Sequence, residues 1–247
     1  MIRLSRTNPP AELTDGHVAE LTDTYKRTSE SVWNKSYIKE GLLALSSSKC
    51  AYCETLLTEE SKYMEVEHFR CKKDFPDEVV LWRNLMPACK RCNGHKNDYN
   101  VETEGMIVDP FLTEPGQHLY IQNYRVRGRD DTGRRTAEIL YLNDGDRLVR
   151  VRMELGNAIA DSLEILRRLL EEYLDGQQST IRRNRITRGI ESLLLQAQPE
   201  AQFSAVAASV LLIDENFTWI KGNLMRLNLW GALAALEERA AGIALLP

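Results

Sequence analysis

The stretch CAYCETLLTEESKYMEVEHFRCKKDFPDEVVLWRNLMPACKRCNGHKND, residues 50–98, decides the fold of this chain. It opens on one Cys-x-x-Cys pair, Cys50 and Cys53, and carries a second, Cys89 and Cys92, near its end, with 35 residues between them. The fifth cysteine, Cys71, has no partner at such spacing and reads as a bystander. The start MIRLSRTNPP lacks the charged and apolar regions of a secretory signal, and five is an odd number, so a disulfide framework fits poorly. Two such pairs instead fit a structural four-thiolate zinc site, each pair forming a tight knuckle that aims both sulfurs at one point. Metal held there would join distant segments and supply folding energy to a substructure too small for a large core. A redox dithiol or chance spacing accounts for one pair and leaves the other unexplained.

On the N-terminal side, Pro9 and Pro10 mark a turn, and Thr14-Asp15 caps a polar helix. A second helix is expected from about Trp33 to Leu45, with Trp33, Tyr37, Leu42 and Leu45 on its apolar face, ended by Ser46–Ser48. On the other side, Asn93, Gly94, Asn100, Gly105 and Pro110 punctuate the chain, and QHLYIQNYRVRG (117–128) reads as a short strand or hairpin. Leu148, Val151, Leu155, Ile159, Leu166, Leu170 and Leu174 recur at helical spacing and predict a long helix over 145–174. Further helices are expected at about 179–196, 200–213 and 216–238. The fold class that follows is α+β, mostly α: an N-terminal helical segment (1–49), a zinc-stapled core (50–110) and a larger helical domain (111–247).

Of the 247 residues, 43% are hydrophobic and 28% charged, the proportions of a folded soluble protein, expected in the cytoplasm. The apolar run FSAVAASVLLI, Phe203 to Ile213, is far shorter than the ~20 residues a bilayer requires. The net charge of −4 gives no general basic coat for nucleic acid. Local charge differs: from His68 to Lys96 there are seven Lys or Arg against three Asp or Glu, which suits a polyanionic substrate. A second basic tract, Arg182, Arg183, Arg185 and Arg188, either holds a phosphate backbone or is a solvated helix face. No base-reading module and no phosphate-cradling G-x-x-x-x-G-K-[ST] loop is present.

Between and just after the cysteine pairs stand the residues with chemistry: Glu67 and His68 in VEHF, Asn84 in RNLM, Asn93 and Lys96 in CNGHKND. A neutral histidine can take a proton from water near neutral pH, and a carboxylate with an Asn carbonyl supplies hard oxygen ligands suited to Mg²⁺ or Mn²⁺. On an extended strand Glu67 and His68 point to opposite sides, so one cannot duplicate the other.

The order C-x-x-C, acidic-His, Asn-Leu, C-x-x-C-N-x-x-K, over Cys50 to Asp98, resembles the cysteine-containing branch of the HNH endonucleases, which use a ββα-metal core. The resemblance implies that His68 is the general base, that Asn84 positions the loop and orients His68, and that Glu67 and Asn93 hold the catalytic Mg²⁺ or Mn²⁺. Structural Zn²⁺ would sit on Cys50, Cys53, Cys89 and Cys92, and Lys72, Lys73 and Lys96 are candidates to meet substrate phosphates. The products would be a 5′-phosphate and a 3′-hydroxyl. The chain departs from the pattern in carrying Glu67 where Asp is common before the histidine, and Cys71 near where a proline is common. His95 faces away from Asn93 on a helix, Asn97 is a candidate extra ligand or a solvated residue, and Lys96 meets a phosphate or packs its stem. The plain alternative for His68 is a core or surface histidine.

Lys39 and Leu42 before KCAYCE, then VEHFR, MIVDPF and a long helical tail, are similar to the PtuB-type HNH nucleases of Septu anti-phage systems, some of which accompany retrons. This wider resemblance implies a separate PtuA-like ATPase partner, phage nucleic acid (DNA) as target, and a helical half that is scaffold or docking surface. Two alternatives stay open: a stand-alone restriction nuclease for modified DNA, and a non-catalytic zinc module that binds nucleic acid or a partner.

Overall fold

A computed structural model describes residues 1–57 and 64–247. The chain forms two compact units, Met1–Leu119 with Arg127–Asn143, and Tyr120–Val126 with Asp144–Pro247. These divisions differ from the boundaries expected near residues 49 and 110, because the N-terminal helices and the strands of the cysteine region share one core.

In the first unit, helix α1 (Asp15–Thr28) starts where the Thr14 side chain accepts the His17 N–H, and stops at Ser29, whose φ of 61° turns the chain away. Helix α2 (Ser36–Leu45) starts later than Trp33, since Lys35 is extended; Trp33 lies in the preceding turn. Strands β1 (Met64–His68) and β2 (Leu85–Cys89) pair antiparallel, from Met64 opposite Cys89 to His68 opposite Leu85. Helix α3 (Lys90–Lys96) follows β2 directly, its first turn capped by the Cys89 sulfur. Val66 and Leu85 pack with Ile38, Leu42, Val79 and Val80. A one-residue slip in pairing would turn Val66 out of this core, so burial fixes the register.

The first unit continues through a short helix α4 (Pro115–His118) to Leu119, where the chain enters strands β3 (Leu119–Gln122) and β4 (Arg125–Gly128), whose stretch Tyr120–Val126 belongs to the second unit. Asn123 and Tyr124 both take positive φ (50° and 61°), the conformation that two-residue hairpins favour. Helix α5 (Asp131–Ile139) is capped by Asp130.

The second unit is helical. A turn of π-helix at Gly145–Val149, capped by Asp144, leads into α6 (Arg150–Leu174), then α7 (Thr180–Gln196) and α8 (Ser204–Ile213). Leu163 and Leu170 of α6, Ile190 and Leu194 of α7 and Leu211 of α8 meet in its core. At Gly189 a Cβ would stand 2.4 Å from a terminal methyl of Leu166, so a larger residue there would make that side chain shift. The apolar run around α8 is the buried centre of this bundle, and among the described residues no helix is long and apolar enough to cross a membrane. The single helix expected over 216–238 is two, α9 (Glu215–Arg226) and α10 (Ala234–Ile243). Asn228 takes φ 57° and the Leu229 N–H returns to the Leu224 carbonyl, a left-handed stop that apolar spacing does not reveal.

Candidate active site

The four paired cysteines come together. Cys50 and Cys53 sit on a tight turn closed by Cys50 N–H to Thr55 O (2.9 Å) and by Glu54 at φ 64°. Ala51 N–H donates to Pro87 O (2.9 Å), which ties this turn to β2. Cys89 ends β2 and Cys92 lies in the first turn of α3, so one strand-to-helix junction presents the second pair. One sulfur from each residue falls within 4.8 Å of the others, and no disulfide joins them. The Cys53–Cys89 Sγ separation is 3.7 Å, against about 3.8 Å between sulfurs arranged tetrahedrally at zinc–sulfur bonds of ~2.3 Å. Burial pushes the Cys50 thiol well up, while hydrogen bonds from Cys50, Cys89 and Cys92 bring Cys53 well down. A divalent cation held among the four sulfurs would let all of them be thiolates. Cys71 is outside the cluster, buried, with its Sγ 3.4 Å from Asp74 Oδ2.

Alternation along β1 sends Glu67 and His68 to different surroundings. His68, 5% exposed, lies edge-on to the Trp33 ring (centroids 4.7 Å apart), and its Nε2 is 2.8 Å from the Val79 carbonyl. A carbonyl only accepts, so Nε2 carries the ring proton and Nδ1 is left as the acceptor. Burial, with Lys72 and Lys96 nearby, outweighs the Val79 bond and brings the imidazole down to about 4. Asn84 holds the loop that supplies this bond. Its Oδ1 accepts Arg70 N–H (2.8 Å), and its Nδ2 donates to the carbonyls of Arg70 (3.0 Å) and Glu78 (3.2 Å), next to Val79.

Glu67, 1% exposed, faces Tyr52 and α3. Its Oε1 meets the Lys96 ammonium at 2.7 Å, and the same ammonium donates to the His68 carbonyl at 2.7 Å. Burial raises the Glu67 carboxyl, and Lys96 offsets part of that rise. Among the described residues no donor reaches Oε2. Asn93 gives its Nδ2 to Glu65 Oε2 (2.6 Å), and its Oδ1 likewise carries no hydrogen bond among them. Glu67 Oε2 and Asn93 Oδ1 are both hard oxygens, of the kind that Mg²⁺ or Mn²⁺ takes as ligands.

The lysines divide by burial. Lys96, expected either to meet a substrate phosphate or to pack its stem, is buried, with its ammonium committed to Glu67 and His68. Lys72 is half-buried with its ammonium 5.5 Å from the Trp33 ring, and Lys73 is exposed. Arg70 is paired with Glu78 and Glu102, which takes it out of the basic window. His95 stacks on Tyr141 (4.8 Å), and Asn97 is the exposed residue that ends α3. Arg183, Arg185 and Arg188 of α7 are exposed, whereas Arg182 pairs with Glu172. Neither Glu65 nor Trp33, the latter expected only on the apolar face of a helix, stands out in the sequence as a residue of the site. Glu65 could have been found by the period of two that puts it on the side of Glu67, while Trp33 reaches His68 only through tertiary packing.

No protein-family model matches the chain. It is 42% identical over 231 residues to the Septu protein PtuB of Bacillus thuringiensis, an alignment covering 93% of this chain and 89% of that relative.

Proposed function

The chain belongs to the family of Septu protein PtuB, and from that premise we propose that it is a metal-dependent HNH endonuclease of an anti-phage defence complex, cutting phosphodiester bonds of DNA together with a PtuA-like ATPase. The observation that carries the reading is the His68–Val79 hydrogen bond, because it leaves Nδ1 as a proton acceptor on a ring that stays neutral well below pH 7. In this reading His68 Nδ1 takes the proton of the attacking water. Asn84 is a positioning residue: it clasps both ends of the loop whose Val79 carbonyl orients the base. Glu67 and Asn93 would hold Mg²⁺ or Mn²⁺ through their open oxygens, and Cys50, Cys53, Cys89 and Cys92 would hold Zn²⁺. When bound, the Mg²⁺ or Mn²⁺ supplies Lewis-acid stabilisation of charge developing on the phosphate and the departing oxygen. Lys96 neutralises Glu67 inside the protein, and Lys72 and Lys73 remain the candidates for substrate phosphate. The chain has no ATP-cradling loop of its own, so ATP dependence falls to the partner.

The base is nearly enclosed, with Trp33 against it, which suits a nuclease at rest until a partner delivers substrate. The same enclosure favours a second reading, a non-catalytic zinc module with a structural His68. An assay over single- and double-stranded DNA and RNA, with Mg²⁺, Mn²⁺ or chelator and with or without the co-encoded ATPase, separates the two. Metal-stimulated cleavage supports the nuclease; none on any substrate in any combination supports the module. Cutting by the isolated chain confined to methylated DNA would instead mark a stand-alone restriction enzyme.

A further inference from the structure

We propose that Glu65 is a positioning residue that sets the orientation of the Asn93 carboxamide, an inference that rests on the nuclease reading above. Asn93 offers one useful ligand atom, its Oδ1, and the carboxamide can turn over to present NH₂ in the same place. What decides between the two orientations is the group beside it. Glu65 and Glu67 are two residues apart on β1 and so share a side of the strand, toward α3. Glu65 Oε2 lies 2.6 Å from Asn93 Nδ2, and both residues are half-buried. A carboxylate has only acceptors to offer, so it selects the NH₂ and rejects the carbonyl oxygen. The turned-over carboxamide would set oxygen against oxygen. Glu65 thereby keeps Oδ1 directed away from itself and available to a cation, while Glu67 Oε2 remains open on the same side of the strand. Hydrogen-bond partners that fix a ligand's orientation in this way change metal affinity by about 10–100-fold when lost.

Glu65→Gln tests this with almost no change of shape. A glutamine offers both a donor and an acceptor, so it satisfies Asn93 in either orientation and removes the selection. Mn²⁺ binding, read by electron paramagnetic resonance on the zinc-loaded full-length chain, is compared for wild type, Glu65→Gln, Asn93→Ala and the double variant. We expect Glu65→Gln to weaken Mn²⁺ binding by about 10–100-fold at unchanged zinc content and melting temperature. In the Asn93→Ala background the same change should have almost no further effect, because Glu65 acts through Asn93. Glu65→Ala, which removes the acceptor without adding a donor, serves as a second route to the same loss. Unchanged Mn²⁺ affinity in both Glu65 variants, or losses that multiply in the double variant, would overturn the inference alone. A wild-type chain that binds no Mn²⁺ overturns the nuclease reading and the inference with it.

Discussion

Burying the Lys96 ammonium beside the Glu67 carboxylate takes two charges out of water, and each is tolerable there only while the other remains. Lys96→Met should therefore destabilise the protein by about 3–5 kcal/mol in denaturant unfolding, and adding Glu67→Gln should recover part of it. Equal stability of Lys96→Met and wild type would show that the pair is not closed to solvent as described. His68 gives a pH dependence. Its imidazole titrates at about 4 in the folded chain, against the ordinary 6.5 when unfolded. Above 6.5 neither state binds the proton and stability is whole. As pH falls below 6.5 the unfolded chain takes the proton first, so stability drops, and this contribution is gone once pH reaches about 4. Between about pH 7.5 and about pH 5 the wild type should lose about 2 kcal/mol more than His68→Phe, read from denaturant midpoints. Parallel losses in the two proteins would contradict the buried, neutral ring. In the sequence, Glu67, His68, Asn84 and Asn93 are picked out by the resemblance to HNH endonucleases, while the structure adds their hydrogen-bond partners. The fate of Lys96 was hidden, because an exposed and a buried lysine look the same until α3 is laid against β1.

At the scale of elements, strand alternation and the direct passage from β2 to α3 do most of the positioning. The period of two told in advance that Glu67 and His68 part company, as their surroundings confirm. Helix ends were harder to see. The apolar spacing runs on through 216–238, and the stop between α9 and α10 depends on one residue, Asn228, at φ 57°. Asparagine tolerates that conformation better than residues with plain side chains. Asn228→Ala should lower stability by about 1 kcal/mol, and Asn228→Gly should be close to neutral, measured by thermal unfolding. A neutral alanine variant would argue that α9 and α10 can fuse without penalty.

For the whole molecule, the two units have separate cores, and only the first contains the four-sulfur cluster. The large helical half was legible from periodicity. The division was not, because α1 and α2 look like a separate leader until Ile38 and Leu42 are seen packing with Val66 and Leu85. Cys50→Ser should lose zinc and expose the first unit to hydrogen exchange, while amides of α6, α7 and α8 in the second keep their protection. Uniform loss of protection across both would show the units to be one cooperative body. Cleavage in Mg²⁺ by the chain together with the co-encoded ATPase tests whether His68 is the base of a nuclease. Wild type should cut, and His68→Ala, at matching zinc content and fold, should be slower by about 10²–10⁴-fold. A His68→Ala protein that cuts as fast as wild type would rule His68 out as the base.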